Sequence, residues 1–379
     1  MRRHLTGLAC VLLAAALLAS SYRLGYERGS ADDGGLPPRL SAVGELYRSI
    51  QQEALEAPSD ARLARGALRG LIEALDDPYA AYYPPSAYRR LNESLEGHFT
   101  GVGVVLQQAP EGFRVVSVLD GTPADRAGVR TGERLVSVNG RDVRDEPFEV
   151  VVSLVKGKVG TTVVLGLDDG GRRRRLRMRR ARIEVPTIQT RPVDDDVAYL
   201  RLLQFSRGVG QDVRRAVGRF VDRGARGIVL DVRGNPGGLL EEAVAVAGVF
   251  IERGPVVTVR ERQGPSRTLK ASGDAFEGVP LVVLVDRGSA SASEIVAGAV
   301  QERGRGRLVG TRTFGKGTVQ LIEPLGGRTG AKFTSAEYLT PTGASIEGHG
   351  VQPDRVVRGD GAQVRVARAL LGAPAGDGR

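Results

Sequence analysis

Apolar residues recur at different spacings along the chain, and these spacings divide it into regions of different secondary structure. Between residues 39 and 75 they recur every three or four residues, with a break at 57–60, which predicts two helices. From residue 97 to 182 short apolar runs are separated by turns, which predicts a small β-rich domain. Its last stretch, 172–182, alternates arginine with apolar residues and is predicted to be an edge strand.

From residue 183 onward, continuous apolar runs alternate with amphipathic stretches. Continuous runs are typical of strands buried on both faces, and their alternation with helices predicts a mainly parallel, covered sheet in an α/β core. The predicted strands are 197–202, 227–232 and 279–285, and the predicted helices are 209–223, 238–250 and 293–301. The polar end of the chain is predicted to be a tail with one short helix at 364–371.

The predicted organisation is multi-domain α/β. It comprises a targeting segment (1–22), a linker (23–37), a helical region (38–96), the β-rich domain (97–182), the α/β core (183–357) and a C-terminal tail (358–379).

The N-terminal segment has the pattern of a signal. Arg2 and Arg3 precede an apolar run from Leu5 to Ala19, which predicts a signal peptide or, if it is retained, a membrane anchor through residues 5–22. We therefore expect the protein to work outside the cytoplasm, in the periplasm or at the cell exterior. Because of that location, we do not expect the formal net charge of +10 to reflect binding of nucleic acid. Cys10 is the one cysteine, so we expect no disulfide and no cysteine-based metal site.

Candidate chemistry lies where two predicted buried strands end. One strand runs into a turn that contains Gly237 and Gly238, and the other runs into a serine-rich turn that contains Ser289, Ser291 and Ser293. Ligands of open α/β sheets bind at such strand ends, where helix N-termini offer N–H groups. A serine there could attack a carbonyl group, although serines in such turns also act simply as helix caps.

Two residue types, histidine and lysine, could provide the base that activates such a serine. His98 lies at the start of the β-rich domain and His349 lies in a glycine-rich loop, which argues against a Ser-His-Asp triad. Lysine occurs at only five positions in a chain that otherwise uses arginine for positive charge, and Lys316 lies between two glycines. Lysine, unlike arginine, can lose its proton when buried. From the residues alone, Lys316 is either that base or a surface lysine.

At these positions the sequence resembles the C-terminal processing peptidases, or tail-specific proteases, from about Leu40 to Val357. These are serine proteases with a Ser-Lys dyad and an embedded PDZ domain. The motifs that carry the resemblance are Leu75-Asp76-Asp77-Pro78-Tyr79, Gly101-Val102-Gly103-Val104, Asp231-Val232-Arg233-Gly234-Asn235-Pro236-Gly237-Gly238, Gly288-Ser289-Ala290-Ser291-Ala292-Ser293-Glu294 and Thr313-Phe314-Gly315-Lys316-Gly317-Thr318-Val319-Gln320.

The resemblance implies a crotonase/ClpP-like α/β protease core with an inserted PDZ domain and an N-terminal helical segment. It implies Ser291 as nucleophile, Lys316 as general base and Gln320 as the residue that orients the lysine. The oxyanion hole would be the N–H of Ala292 with that of Gly237 or Gly238.

The implied activity is an extracytoplasmic serine endopeptidase that cleaves proteins near their C-termini without a cofactor or metal. The implied partners are proteins or peptides with free C-termini. Their carboxylate would be bound by the PDZ loop of Gly101, Val102, Gly103 and Val104, and their tail would add as a strand beside residues 102–106.

Two other functions compete with this interpretation. One is a catalytically inactive PDZ scaffold that binds protein C-termini, which the joint presence of Ser291, Lys316 and Gln320 disfavours. The other is a crotonase-like hydratase or hydrolase that acts on thioesters, which the PDZ-like domain, the signal segment and the paired serine and lysine disfavour.

Overall fold

We describe the protein from a computed structural model. The structure describes residues 38–109, 112–194 and 196–372; the predicted signal segment and linker lie outside this part of the chain. Within the described residues, no helix has the length and apolar content that crossing a membrane requires.

The chain divides into two compact units, with the boundary between Leu71 and Ile72. The first contains the two predicted helices, α1 (Pro38–Glu53) and most of α2 (Asp60–Glu73). At the predicted break, the amide of Gln51 donates to the carboxylate of Asp60 at 3.0 Å.

The second unit opens with β1 (Ala81–Tyr83) and α3 (Pro85–Glu96) and continues into the β-rich domain. The elements of that domain are β2 (His98–Gly101), β3 (Val104–Ala109), β4 (Gly112–Val118), α4 (Pro123–Arg126), β5 (Arg134–Val138), β6 (Arg141–Asp142), α5 (Phe148–Val155), β7 (Thr162–Asp169), β8 (Arg172–Arg179) and β9 (Ala181–Glu184).

The β-rich domain is an insertion between two adjacent strands. Strand β2 enters it and strand β9 leaves it, and the two pair antiparallel from His98↔Glu184 to Gly101↔Ala181. The domain's sheet has the order β3-β4-β5-β7-β8, so β3 and the arginine-rich β8 are its edges, as the alternation in β8 predicts. Alternating residues such as Leu135, Leu165 and Leu167 fill its own hydrophobic core.

The α/β core follows. Its elements are β10 (Ile188–Pro192), β11 (Val197–Leu202), α6 (Val209–Asp222), β12 (Gly227–Asp231), α7 (Leu240–Phe250), β13 (Arg253–Glu261), β14 (Arg267–Ser272), β15 (Leu281–Val285), α8 (Ala292–Glu302), β16 (Arg307–Gly310), β17 (Thr318–Leu325), β18 (Thr329–Leu339), β19 (Arg355–Val356) and α9 (Asp360–Gly372).

The predicted parallel sheet has the order β10-β11-β12-β15-β16-β19, and β10 is its antiparallel member. All five residues of β12 and of β15 are buried, as their continuous apolar runs predict. Helices α6, α7 and α8 pack on one face of the sheet through a large apolar cluster. Helix α9 packs on the other face, where Ala367 is fully buried.

The structure differs from the sequence prediction in several places, and strands β10, β16 and β19 of the parallel sheet were not predicted. A second, antiparallel sheet joins β1, β18, β13 and β14, with β17 beside β18, and none of these strands was predicted. Helix α7 begins at Leu240, because Gly238 has a φ of 150° and forms a β-bridge to Phe205, and Leu239 is extended. The helix predicted at 364–371 within the polar tail is longer in the structure, where α9 spans Asp360–Gly372 and belongs to the folded core.

Candidate active site

The two predicted strand-end turns meet because their strands are neighbours in the parallel sheet. Asp231 of β12 pairs with Leu284 of β15, so the loops that follow emerge side by side. The carbonyl of Asn235 accepts hydrogen bonds from the Ala290 N–H at 3.1 Å and from the Ser293 hydroxyl at 2.9 Å. These bonds fix the serine-rich turn against the glycine-rich one.

Of the three serines in this turn, Ser291 has the hydroxyl that is suited to reaction. Ser289 and Ser293 are fully buried, and each donates to a backbone carbonyl of the neighbouring loop. Ser291 is half-buried and immediately precedes helix α8, with φ 55° and ψ −116°. A positive φ is rare for a residue with a side chain and is a form of strain that clusters at functional sites.

The candidate oxyanion hole lies against this serine. A Cβ on Gly237 would stand 2.9 Å from the Ser291 Cβ and 3.0 Å from the Ala292 nitrogen, so only glycine fits. The N–H of Gly237 itself donates to the Asn235 side chain at 2.9 Å. Within the described part of the chain, the N–H groups of Ala292 and Gly238 have no hydrogen-bond acceptor. Gly238 is therefore the better of the two predicted glycine donors.

A buried carboxylate, Glu294, connects the serine to the lysine. Its Oε2 accepts the N–H of Ser291 and the N–H of Lys316, each at 2.9 Å. Its Oε1 accepts the Thr313 hydroxyl at 2.5 Å and the Gly315 N–H at 2.8 Å. Glu294 thus binds the start of helix α8 to the loop that contains Lys316.

Lys316 lies in an environment that favours the neutral amine. Burial lowers the pKa of Lys316 below its ordinary value of 10.5, and the positive charge of Lys332 lowers this pKa further. The carboxylates of Glu347, Asp77 and Glu294 act in the opposite direction and raise it. Its Nζ stands 4.5 Å from the centroid of the Tyr79 ring.

Tyr338 of β18 contacts both candidate catalytic residues. Its hydroxyl donates to the carbonyl of Lys316. Burial, followed by the charge of Glu294, raises the pKa of the Tyr338 phenol well above its ordinary value, although a hydrogen bond with Ser291 acts in the opposite direction. Tyr338 is therefore a neutral phenol that lies between the two residues.

Gln320 lies four residues after Lys316, on strand β17, next to a bulge between Val319 and Gln320. Its amide nitrogen donates to the hydroxyls of Thr318 at 3.2 Å and Thr334 at 2.9 Å. Its amide oxygen is buried and has no partner among the described residues. That oxygen is an acceptor suited to an ammonium group.

The two histidines in the described part of the chain, His98 and His349, have no comparable setting. A ring nitrogen of His98 lies 3.2 Å from the carbonyl of Glu96, and His349 is exposed. In the described part of the chain, no cluster of His, Cys, Asp and Glu could hold a metal ion.

Three residues of the site were not predicted from the sequence: Tyr79, Glu294 and Tyr338. Tyr79 and Glu294 lie inside two motifs of the resemblance, which was the available signal for them. Tyr338 comes from the unpredicted strand β18, and its position gave no such signal.

The predicted PDZ loop lies at the edge strand β3. Gly103 has φ 89°, and a Cβ there would stand 2.2 Å from the Thr122 hydroxyl, so only glycine fits. The carbonyls of Val102 and Gly103 accept N–H groups from Ala124 and Leu119. Among the described residues, no acceptor is bound by the N–H of Val102 or of Gly103. The loop thus has backbone donors available beside an open sheet edge.

Comparison with known proteins connects this geometry to a family. The profile of peptidase family S41 matches residues 196–357, and a PDZ-domain profile matches residues 114–168. The carboxy-terminal-processing protease of Bartonella bacilliformis is 35% identical over 327 residues, which cover 84% of this chain and 75% of that protein. The chain belongs to the C-terminal processing proteases of peptidase family S41. The family and the α/β core with a PDZ domain, both predicted from the sequence, are thereby confirmed.

Two further relatives of this peptidase extend the likeness along most of the chain. Carboxy-terminal processing protease CtpA of Bacillus subtilis is 31% identical over 351 residues, which cover 92% of this chain and 74% of that protein. The structure of a photosystem II D1 C-terminal processing protease covers 90% of this chain and 99% of its own, with 28% identity and a TM-score of 0.52.

Glu294→Gln should disrupt the connection between the serine turn and the lysine loop of this peptidase. The amide group cannot accept four hydrogen bonds, so buried donors lose their partner. We expect a loss of roughly 2 kcal/mol in the free energy of unfolding and a fall in peptide turnover of about 100-fold, measured by chemical denaturation and steady-state kinetics. The matched control is Glu302→Gln, an exposed carboxylate at the end of the same helix. Equal stability and turnover in the two variants would contradict the prediction.

Proposed function

We propose that this protein is a serine endopeptidase that works outside the cytoplasm and cleaves protein substrates near their C-termini with a Ser291–Lys316 dyad. The observation that carries the proposal is that one carboxylate oxygen, Oε2 of Glu294, accepts the backbone N–H of both residues at 2.9 Å. A nucleophile and a base must be neighbours, and this shared acceptor brings their backbones together.

The reaction follows from the groups around Ser291. Neutral Lys316 takes the hydroxyl proton while the serine oxygen attacks the peptide carbonyl carbon, and the carbonyl oxygen becomes an oxyanion. The N–H groups of Ala292 and Gly238 are the donors for that oxyanion. Lys316 then returns the proton to the departing amine, and water hydrolyses the acyl-enzyme by the same route.

Gln320 orients the lysine in this proposal. Its buried amide oxygen lacks a partner among the described residues, while its nitrogen is fixed by two threonine hydroxyls. An amide oxygen can accept a hydrogen bond from an ammonium group, and in this proposal it would hold the ammonium of Lys316 after proton transfer.

The PDZ domain would select substrates by their free C-terminus. The available N–H groups of Val102 and Gly103 are donors for a carboxylate, and the edge strand β3 can accept one more antiparallel or parallel neighbour. The location outside the cytoplasm is supported by the signal pattern of residues 1–22.

Ser291→Ala should abolish cleavage of a fluorogenic peptide and leave the fold intact, because the change removes one hydroxyl from a half-buried position. We expect a stability change of about 1 kcal/mol or less. Ser289→Ala and Ser293→Ala are the controls, since both hydroxyls make structural hydrogen bonds, and they should keep substantial turnover with reduced stability. Turnover in Ser291→Ala together with its loss in Ser289→Ala would transfer the nucleophile to Ser289.

Lys316→Arg should be as inactive as Lys316→Ala at every pH. The pKa of Lys316 lies below its ordinary 10.5, so wild-type kcat/KM should rise with pH through that lowered pKa as the amine loses its proton. Arginine keeps its proton at accessible pH, so the variant should show no such rise. The measurement is the pH profile of kcat/KM for both proteins. Appreciable turnover of the arginine variant at neutral pH would exclude Lys316 as the base.

Amidation of a substrate's C-terminus should weaken its binding to the protein. The change removes the negative charge that the N–H groups of residues 101–104 would bind. Titration calorimetry with the Ser291→Ala variant of the full chain compares the acid and amide forms of one peptide without cleavage. Equal affinity for the two forms would remove the carboxylate loop from the proposal.

A further inference from the structure

A short tyrosine-rich segment before helix α3, residues 77–83, is fixed to the strand that contains Tyr338. The carboxylate of Asp77 accepts the Thr334 N–H at 2.7 Å and the Tyr79 N–H at 2.9 Å. Strand β1 then pairs with β18, from Ala81↔Lys332 to Tyr83↔Gly330. We call residues 77–83 the tyrosine segment. Its anchors hold Tyr79 in a defined position.

Within this segment two tyrosine rings each contact a lysine. The Tyr79 centroid lies 4.5 Å from the Nζ of Lys316, and the Tyr83 centroid lies 5.8 Å from the Nζ of Lys332. Both distances are within the range of about 6 Å in which an aromatic face attracts a cation. Burial, aided by Glu347, Glu294 and Asp77, raises the pKa of the Tyr79 phenol, so this ring stays neutral.

A lysine base makes opposite demands on its surroundings during the reaction. It must be neutral before attack and an ammonium after it has taken the serine proton. A carboxylate in direct contact would stabilise the ammonium strongly at all times and so keep the resting lysine protonated. An aromatic face attracts the cation more weakly and offers no oxygen to which the proton can be transferred.

We propose that Tyr79 is a further catalytic residue, whose ring face stabilises the ammonium that forms on Lys316 when Ser291 attacks. In that step the Oγ–H bond of Ser291 breaks, the proton bonds to Nζ of Lys316, and the Oγ electron pair forms the bond to the substrate carbon. The ring exchanges no atom with the reactants. The inference rests on the proposed Ser291–Lys316 function.

The experiment measures the charge of Lys316 directly as well as its effect on turnover. The chain has five lysines, so NMR of ¹³C-labelled lysine can follow each ε-carbon, and the loss of one signal in Lys316→Arg assigns it. The titration is recorded in Ser291→Ala, and kcat is measured against pH with Ser291 present. The groups that face Lys316 and stay unchanged are Lys332, Glu347, Asp77, Glu294 and Tyr338.

Three variants distinguish the effect of the Tyr79 ring on Lys316 from the effect of its hydroxyl group and from that of the rest of the tyrosine segment. Tyr79→Leu keeps an apolar side chain but removes the aromatic face, so the midpoint of Lys316 should fall by about half a pH unit or more, and kcat should fall about tenfold. Tyr79→Phe keeps the face and should stay near wild type in both measurements. Tyr83→Leu is the matched control on the same segment, and it should leave the Lys316 midpoint and kcat nearly unchanged.

The outcomes distinguish the inference from the proposed function. An unchanged Lys316 midpoint in folded Tyr79→Leu, or a Tyr79→Phe variant as defective as Tyr79→Leu, overturns the role of the ring and leaves the dyad intact. Turnover by Lys316→Arg overturns the dyad, and the role of Tyr79 with it. If Tyr79→Leu does not fold, phenylalanines with one, two or three ring fluorines at position 79 replace it. The midpoint should then fall with each fluorine, and a constant midpoint overturns the inference.

Discussion

The hydrogen bonds of one buried carboxylate determine how the candidate active site is assembled. Glu294 is fully buried, and a carboxylate can be buried at tolerable cost only where donors replace the water it has lost. Its four donors come from both sides of the site: Ser291 on one side, and Thr313, Gly315 and Lys316 on the other. A shift of one side relative to the other would take donors away from the carboxylate. The positions of nucleophile and base therefore depend on the same interaction.

The two sides of the site come from different sheets. Ser291 follows β15 of the parallel sheet, and Lys316 lies two residues before β17 of the antiparallel sheet. Glycines make possible the close approach of the Lys316 loop to residues 347–350. A Cβ on Gly315 would stand 3.0 Å from the Gly350 nitrogen, and one on Gly317 would stand 2.8 Å from the Glu347 nitrogen. The motif around Lys316 thus needs glycines for packing.

The sequence predicts the parallel sheet well because its strands carry their own signal. In β12 and β15 the apolar runs are continuous, and burial on both faces follows from that run alone. Strand β18 has no such signal: it is rich in small and polar residues, and it pairs with β13 more than 70 positions earlier, as in Val259↔Tyr338. Tyr338 was missed for this reason, and the contacts of Tyr79 and Tyr338 with Lys316 exist only after the antiparallel sheet forms. Sequence motifs locate Ser291 and Lys316, but the environment of a lysine depends on residues distant in the chain.

That environment explains how one lysine can be a weak base at rest and still accept a proton. Burial lowers the pKa of Lys316, and the nearby carboxylates of Glu294, Glu347 and Asp77 limit the decrease. Glu294 and Asp77 both use their oxygens on backbone N–H groups, and Glu347 accepts the N–H of Gly317. Their charge acts on Lys316, while both oxygens of Glu294 and of Asp77 and one oxygen of Glu347 already accept hydrogen bonds from other groups. Backbone hydrogen bonding thereby moderates the electrostatic stabilisation of the protonated lysine, so proton uptake from Ser291 is favoured only as negative charge develops on the substrate.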